Sequence, residues 1–277
     1  MIIELFGPPG AGKTTFAHAL AAYLREHGRL VELILSYRPA EPSSAVGAGI
    51  ADPMQHQTAA VVRRVTRPAV EMFTMVRHPV ANSRDVRTAA DLIRLLPPKS
   101  LIWSMRMRQY IIRLSHAWQR ASQASHIVLF DQGFVQAVCS LALLGRTPDD
   151  ALIARALGCV PKSDFLIRID APRGTLESRL RDRERHQSAI ERLFELDLET
   201  NLDSVRIVDH LDDLLGRQGR SAIAATSLDW HSLRESLERI ERRIDPALRT
   251  SRVVTVAEQR SRPQPRQFLE QQDGPRR

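Results

Sequence analysis

The strongest chemical signal in the sequence is a run of eight residues near its start. Gly7-Pro8-Pro9-Gly10-Ala11-Gly12-Lys13-Thr14 fits G-x-x-x-x-G-K-[ST], the pattern of a loop that binds phosphate groups. Its glycines let successive backbone N–H groups turn inward around a diphosphate, and the helix that follows adds its positive end. Lys13 can reach the β- and γ-phosphates of a nucleotide, and the Thr14 hydroxyl can ligate Mg²⁺. We therefore predict that residues 7–15, which include Thr15, bind ATP and Mg²⁺; an ordinary glycine-rich turn is the alternative.

An acidic residue follows the apolar run HIVLF at the end of the third predicted strand. Asp131 would lie at the same edge of a parallel sheet as the loop after the first strand. Its carboxylate can hold Mg²⁺ or accept the proton of an acceptor hydroxyl, and the structural alternative is a cap on the next helix. Gln132 and Phe134 follow in the same turn, and we predict that they contact an acceptor.

Arginines supply the remaining candidates. Arg38, in Ser36-Tyr37-Arg38-Pro39 after the second predicted strand, could form a two-pronged contact with a phosphate or carboxylate of the acceptor, or lie on the surface. The segment TLESRLRDRER places Arg179 and Arg183 on one face of a helix. Phosphoryl transfer puts negative charge on the γ-phosphate, which such arginines can stabilise. The alternative is an exposed helix whose arginines pair with neighbouring acids. We predict Lys13, Asp131, Arg179 and Arg183 as the catalytic residues.

Alternating strands and helices must position these groups. Apolar runs predict strands at 30–35, 126–131, 164–170 and 221–226 after the first strand, and we expect the strand at 30–35 to be buried. Helical spacing and capping signals predict the main helices at 13–26, 99–124, 133–144, 189–215 and 230–244. This alternation is typical of an α/β fold with a parallel sheet and helices on both faces.

Composition sets the outline of the chain. Its 277 residues are 43% hydrophobic, enough for one α/β domain, which we assign to residues 1–245. Many prolines in residues 36–98 predict loops and short helices on the acceptor side, and residues 246–277 read as a disordered basic tail.

No apolar run of membrane-spanning length occurs, and the start lacks a charged leader, so we expect a cytoplasmic protein without membrane contact. We read Cys139 and Cys159 as buried thiols.

The net charge of +8 is weak evidence for nucleic acid. Residues 249–277 carry seven arginines and three acidic residues, so half of the net charge lies there. The rest of the chain is only mildly basic, and no nucleic-acid-binding module is visible. We therefore expect a small-molecule partner rather than nucleic acid. The sequence leaves open whether the chain forms a homodimer.

Together these motifs resemble the nucleoside and nucleotide kinases of the thymidylate-kinase and deoxynucleoside-kinase type. The resemblance covers about residues 1–245 and rests on GPPGAGKTT, YRPAE, LFDQG and DAPRGTLESRLRDRER, in order and spacing. It implies the P-loop NTPase fold, a five-stranded parallel sheet in the order 2-3-1-4-5. It also implies that Asp131 serves the metal or the acceptor, and that arginines of a short lid at 179–187 contact phosphates. The implied activity is transfer of the γ-phosphoryl group of ATP to a small acceptor, such as a nucleoside, nucleotide or similar metabolite.

The sequence departs from this family at the acceptor side. Gln132 follows the acidic residue where the family has an arginine, and residues 36–98 have no counterpart that we can align. The acceptor therefore need be neither dTMP nor a nucleoside. Two other functions stay open: a regulatory P-loop ATPase without a small-molecule acceptor, and a kinase for polynucleotide ends.

Overall fold

The alternation predicted from the sequence is present in the computed structural model, which describes residues 1–36, 83–145, 149–186 and 197–260. Its strands are β1 (Ile2–Phe6), β2 (Val31–Ile34), β3 (Ile127–Phe130), β4 (Phe165–Asp170) and β5 (Ile223–Thr226). The helices in those ranges are α1 (Lys13–Glu26), α2 (Ser83–Leu95), α3 (Leu101–Ser122), α4 (Phe134–Leu144), α5 (Asp150–Cys159), α6 (Arg173–His186), α7 (Leu198–Arg217) and α8 (Trp230–Arg260). The chain divides into two units, Met1–Leu237 and Glu238–Arg277.

The five strands form one sheet in the order β2-β3-β1-β4-β5, and all of their pairings are parallel. In this register Glu4 of β1 lies beside Phe130 of β3 and Leu166 of β4. The fold predicted for a P-loop NTPase is therefore confirmed. Because all strands run in one direction, the loops after β1 and β3 leave the sheet at the same edge.

The core forms where the central strands meet the helices. All residues of β1 and β3 are buried, as expected for strands covered on both faces. The Trp118 ring of α3 stacks on Phe130 at 5.0 Å and meets Phe134 edge-on at 5.2 Å, an arrangement that aromatic pairs prefer. Five apolar side chains of α3 are buried at helical spacing: Met107, Ile111, Leu114, Trp118 and Ala121.

Three local expectations were wrong. We expected residues 30–35 to be buried, but β2 is an edge strand with one neighbour, and Leu30 is 80% exposed. Cys139 is buried as predicted, whereas Cys159 is exposed at the end of α5. The last helix was expected to end near Ile244, before a disordered tail, yet α8 continues through Pro246 to Arg260. A proline inside a helix removes one backbone hydrogen bond, and the surrounding alanine, leucine, glutamate and arginine residues favour helix strongly.

The proposed acceptor-side insertion is described only from Ser83 onward. Its last part contains α2, a helix of 13 residues, which is longer than the short helices we expected. Residues 37–82, with the candidate Arg38, lie outside the described residues, as do residues 261–277 of the tail. The division into a kinase-like domain and a tail stays a prediction. Across the described ranges, none of the helices is both long and apolar enough to cross a membrane.

Candidate active site

The segment 7–14, which we call the phosphate loop after its predicted role, connects β1 to the start of α1 and depends on its glycines. A Cβ on Gly7 would lie far closer to the Ile169 carbonyl oxygen of β4 than van der Waals contact allows, so the loop can leave the sheet only with glycine there. Gly12, at the start of α1, has φ = 92°, in the left-handed region that side chains disfavour. The loop therefore turns tightly between the sheet and the helix, as its pattern predicts.

The Lys13 side chain folds back over this loop. Lys13 is 6% exposed, and its ammonium donates hydrogen bonds to the carbonyl oxygens of Gly7 at 2.8 Å and of Pro8 at 2.9 Å. These bonds compensate the burial of a positive charge. They also keep that charge at the loop, as the predicted role in binding phosphate requires.

Thr14 and Asp131 meet at the edge of the sheet. The Thr14 hydroxyl donates a hydrogen bond of 2.8 Å to Asp131 Oδ2, and the backbone N–H of Ser36 donates one of 2.6 Å to Oδ1. Asp131 is 1% exposed, and this burial raises the pKa of its carboxyl group above the ordinary value. The two hydrogen bonds and the charge of Lys13 oppose that rise. Residues that follow β1, β2 and β3 thus meet at one carboxylate, that of Asp131.

The donors at this point suit Mg²⁺. Mg²⁺ prefers oxygen ligands and commonly takes one or two from the protein, with phosphate oxygens and water completing its shell. The hydroxyl of Thr14 and the carboxylate of Asp131 are such ligands, and their hydrogen bond shows that the two oxygens lie together. In the part of the chain that the structure describes, no group of three or more His, Cys, Asp or Glu side chains is arranged to hold a metal ion.

Asp131 does not cap the helix that follows it, which was the structural alternative. The first turn of α4 instead donates its Val135 N–H to the Oε1 atom of Glu4 on β1, at 2.5 Å. Glu4 is fully buried, and burial raises the pKa of its carboxyl group from 4.5 to about 7. Our sequence analysis missed Glu4, although a charged residue inside the apolar strand IIELF is a visible signal.

The arginine-rich helix α6 reaches the loop through one of the two predicted residues. Arg179 donates a hydrogen bond of 3.1 Å from its guanidinium to the carbonyl oxygen of Gly10. Arg183 lies one turn further along the same face and is half-buried. Two other arginines form ion pairs within the helix, Arg181 with Glu177 and Arg185 with Asp182. The alternative of an exposed, self-paired helix therefore describes those two and not Arg179.

The two described candidates for the acceptor side have different surroundings. Gln132 is half-buried in the turn after β3. Its backbone carbonyl oxygen accepts a hydrogen bond of 3.3 Å from the Tyr110 hydroxyl of α3. Phe134 is 1% exposed and packs in the core against Trp118. Its ring has no surface to offer an acceptor, so we withdraw Phe134 from the proposed site. Gln132 remains in it.

Comparisons with known proteins find solved structures that are similar to this chain at low sequence identity. The chain is similar to a solved structure of deoxyadenosine kinase from M. mycoides with bound dATP, at 13% sequence identity and a TM-score of 0.43, covering 88% of this chain and 100% of that chain. It is also similar to that kinase with the products dCMP and a flexible dCDP bound, at 12% identity and a TM-score of 0.45, covering 89% and 100%. No family model matches the sequence, and no curated protein matches it.

Proposed function

We propose that this chain is an ATP-dependent phosphotransferase that moves the γ-phosphoryl group to a small acceptor. The observation that carries the proposal is the contact between Thr14 of the phosphate loop and Asp131 after β3. A glycine-rich turn with only a structural role would have no need of a buried carboxylate beside its threonine. A loop that binds nucleotide phosphates with Mg²⁺ does need one.

The charged groups around the loop suit phosphoryl transfer. Lys13 would bind the β- and γ-phosphates in place of the loop carbonyls that it now contacts. Arg179, which already contacts Gly10, would stabilise the charge on the transferred group. Arg183 would have the same role from the same face of α6. Such groups act strongly because they are held in position before the reaction begins.

Mg²⁺ would be held by Thr14 and Asp131, and it would neutralise charge on the phosphate oxygens. Both carboxylate oxygens of Asp131 already accept hydrogen bonds, from Thr14 and from Ser36. The contact with Thr14, the other proposed Mg²⁺ ligand, favours the metal role of Asp131 over that of a base for the acceptor hydroxyl.

The acceptor would bind beside the turn after β3, next to Gln132. Arg38 is a further candidate, since it follows β2 closely in the sequence, although it lies outside the described residues. We propose a nucleoside, a nucleotide or a similar metabolite, because the motifs resemble kinases for such substrates.

The test is ATP consumption by the purified protein with Mg²⁺, alone and with separate pools of nucleosides, nucleoside monophosphates, sugars and short oligonucleotides. We expect one small-molecule pool to stimulate turnover and to yield a phosphorylated acceptor. Steady hydrolysis that no pool changes would instead indicate a regulatory ATPase. Stimulation by oligonucleotides alone would indicate a kinase for polynucleotide ends.

A further inference from the structure

The first turn of α4 is held by a side chain from a distant strand. Its N-cap residue is Gly133, which has no side chain to accept the orphan N–H groups of the helix. Glu4 of β1 accepts the Val135 N–H instead, from 131 positions away in the chain. A Cβ on Gly133 would lie 2.5 Å from the Glu4 side chain, so glycine makes room for this carboxylate. Glu4 therefore fixes where α4 begins.

The next residue of that turn connects to the phosphate loop. Gln136 is 6% exposed, and its side-chain oxygen Oε1 accepts a buried hydrogen bond of 3.0 Å from the backbone N–H of Gly7. Gly7 is the first residue of the loop, and its other side lies directly against Ile169 of β4. The start of the loop is thus held on one side by a strand and on the other by one amide oxygen.

We propose that Gln136 is a positioning residue for the phosphate loop, and that Glu4 holds Gln136 in register through the first turn of α4. Neither side chain would touch the nucleotide in this scheme. Gln136 would set the direction in which the backbone leaves β1. Glu4 would set the position of α4 relative to the strands of the sheet. The inference rests on the proposed function, because its measurable consequence is the affinity of the loop for phosphates.

Removing the Gln136 acceptor would leave the Gly7 N–H buried without a partner. A buried donor in that state either carries a penalty in the folded protein or moves to find another acceptor. Movement at Gly7 would displace the N–H groups that follow it, which must converge on the phosphates to within a fraction of an ångström. The expected result is weaker nucleotide binding, beyond any loss of global stability.

The test compares four variants with the wild type in calorimetric titrations with ADP and Mg²⁺. Gln136→Met keeps the length of the side chain and removes the acceptor, and Glu4→Met does the same at β1. We expect each to weaken ADP binding about tenfold. Glu4→Gln keeps an acceptor for Val135 and should bind ADP within about twofold of the wild type. The double variant Gln136→Met with Glu4→Met should bind no more weakly than the Gln136→Met variant, because both act through one contact.

Two further measurements separate positioning from general destabilisation. Leu141→Ala, a buried change on the same helix, should lower the melting temperature while leaving ADP affinity near the wild-type value. Hydrogen exchange of the Gly7 amide should accelerate in Gln136→Met and stay slow in Leu141→Ala under native conditions. If Gln136→Met does not fold, Gln136→Asn replaces it, since its shorter side chain withdraws the oxygen from Gly7.

The outcomes are distinguishable. Wild-type ADP affinity and slow Gly7 exchange in Gln136→Met would overturn the inference while leaving the proposed function intact. Equal losses of affinity in Leu141→Ala and Gln136→Met would reduce Gln136 to a stabilising residue and also overturn it. A wild-type protein that binds neither ADP nor ATP would overturn the proposed function, and the inference with it.

Discussion

The hydroxyl of Thr14 lies 2.8 Å from Asp131 Oδ2, although 117 positions separate the two residues in the chain. The parallel order of the sheet produces this contact, because β1 and β3 are neighbours and their carboxyl ends share an edge. Each residue was a candidate Mg²⁺ ligand from the sequence, and the contact brings their oxygen atoms together. Together they provide the two oxygen ligands that the proposed Mg²⁺ requires.

Asp131→Asn should abolish most turnover while largely keeping ATP binding. The amide can still accept from Ser36 and can donate to the Thr14 oxygen, so the local structure should survive. The charge that would hold Mg²⁺ is lost, and we expect kcat to fall about 100-fold or more. Steady-state kinetics over a range of Mg²⁺ concentrations measure the effect.

A matched control for this change is Asp164→Asn. Asp164 accepts a hydrogen bond of 2.6 Å from the Ile2 backbone, at the opposite end of β1, and should not affect turnover. Near-normal rates in Asp131→Asn would contradict the metal role of Asp131.

Lys13→Ala should eliminate ATP turnover and weaken nucleotide binding, with the fold retained. The ammonium supplies the positive charge held at the loop, and no neighbouring side chain in the motif can replace it. Circular dichroism checks the fold, and calorimetry with ATP checks the affinity. Lys162→Ala, a change at an exposed lysine, is the control. Normal turnover in Lys13→Ala would refute the assignment of the phosphate loop.

Arg179→Ala should lower kcat about 100-fold and raise KM by a smaller factor. The reason is that charge on the transferred group is greatest in the transition state. Arg179→Lys should recover only part of the rate, because an ammonium lacks the guanidinium fork. Arg181→Ala is the matched control, as Arg181 pairs with Glu177 within the same helix. Equal effects of the alanine changes at Arg179 and Arg181 would contradict a specific role for Arg179.

The stability of the protein should depend on pH through Glu4. Burial raises the pKa of its carboxyl group from 4.5 to about 7, so the folded state favours the neutral acid. The contribution of the Glu4 carboxyl group to the free energy of unfolding is complete below about pH 4.5 and is lost as the pH rises through about 7. The loss amounts to about 3 kcal/mol. The positive charge of Arg220 opposes part of this rise in pKa.

Urea unfolding of the wild type and of Glu4→Gln measures this dependence. Glu4→Gln keeps an acceptor for Val135 and cannot ionise, so its free energy of unfolding should gain on that of the wild type between about pH 5 and pH 8. A constant difference between the two proteins over this range would show that Glu4 does not titrate as described.

Local sequence pattern was sufficient for the loop and for the order of the elements. The spacing from Gly7 to Thr14 specifies a turn, a positive helix end and a lysine within reach of it, all within one stretch of chain. The alternation of apolar runs with helical spacing gave the correct positions for α1, α3 and α4 to within a few residues. The place of Asp131 at the edge of the sheet followed from the same alternation.

Burial of particular side chains could not be read in this way. Phe134 follows the candidate carboxylate as closely as Gln132 does, and only the packing of α3 on the sheet decides that its ring points into the core. Leu30 belongs to an apolar run, yet it lies just before the edge strand β2 and is 80% exposed. Apolar pattern predicts that a segment is a strand, but not how many neighbours cover it.

The sequence by itself determined the phosphate loop, the parallel α/β fold and the carboxylate that completes the proposed metal site, because each depends on short-range spacing or on the direction of the strands. Only the tertiary structure decided that Glu4 rather than Asp131 holds α4, and that Gln136 holds Gly7. Those contacts join residues about 130 positions apart and depend on the height at which one helix packs against the sheet. That height is set by the packing of side chains from several elements at once, which no single stretch of sequence contains.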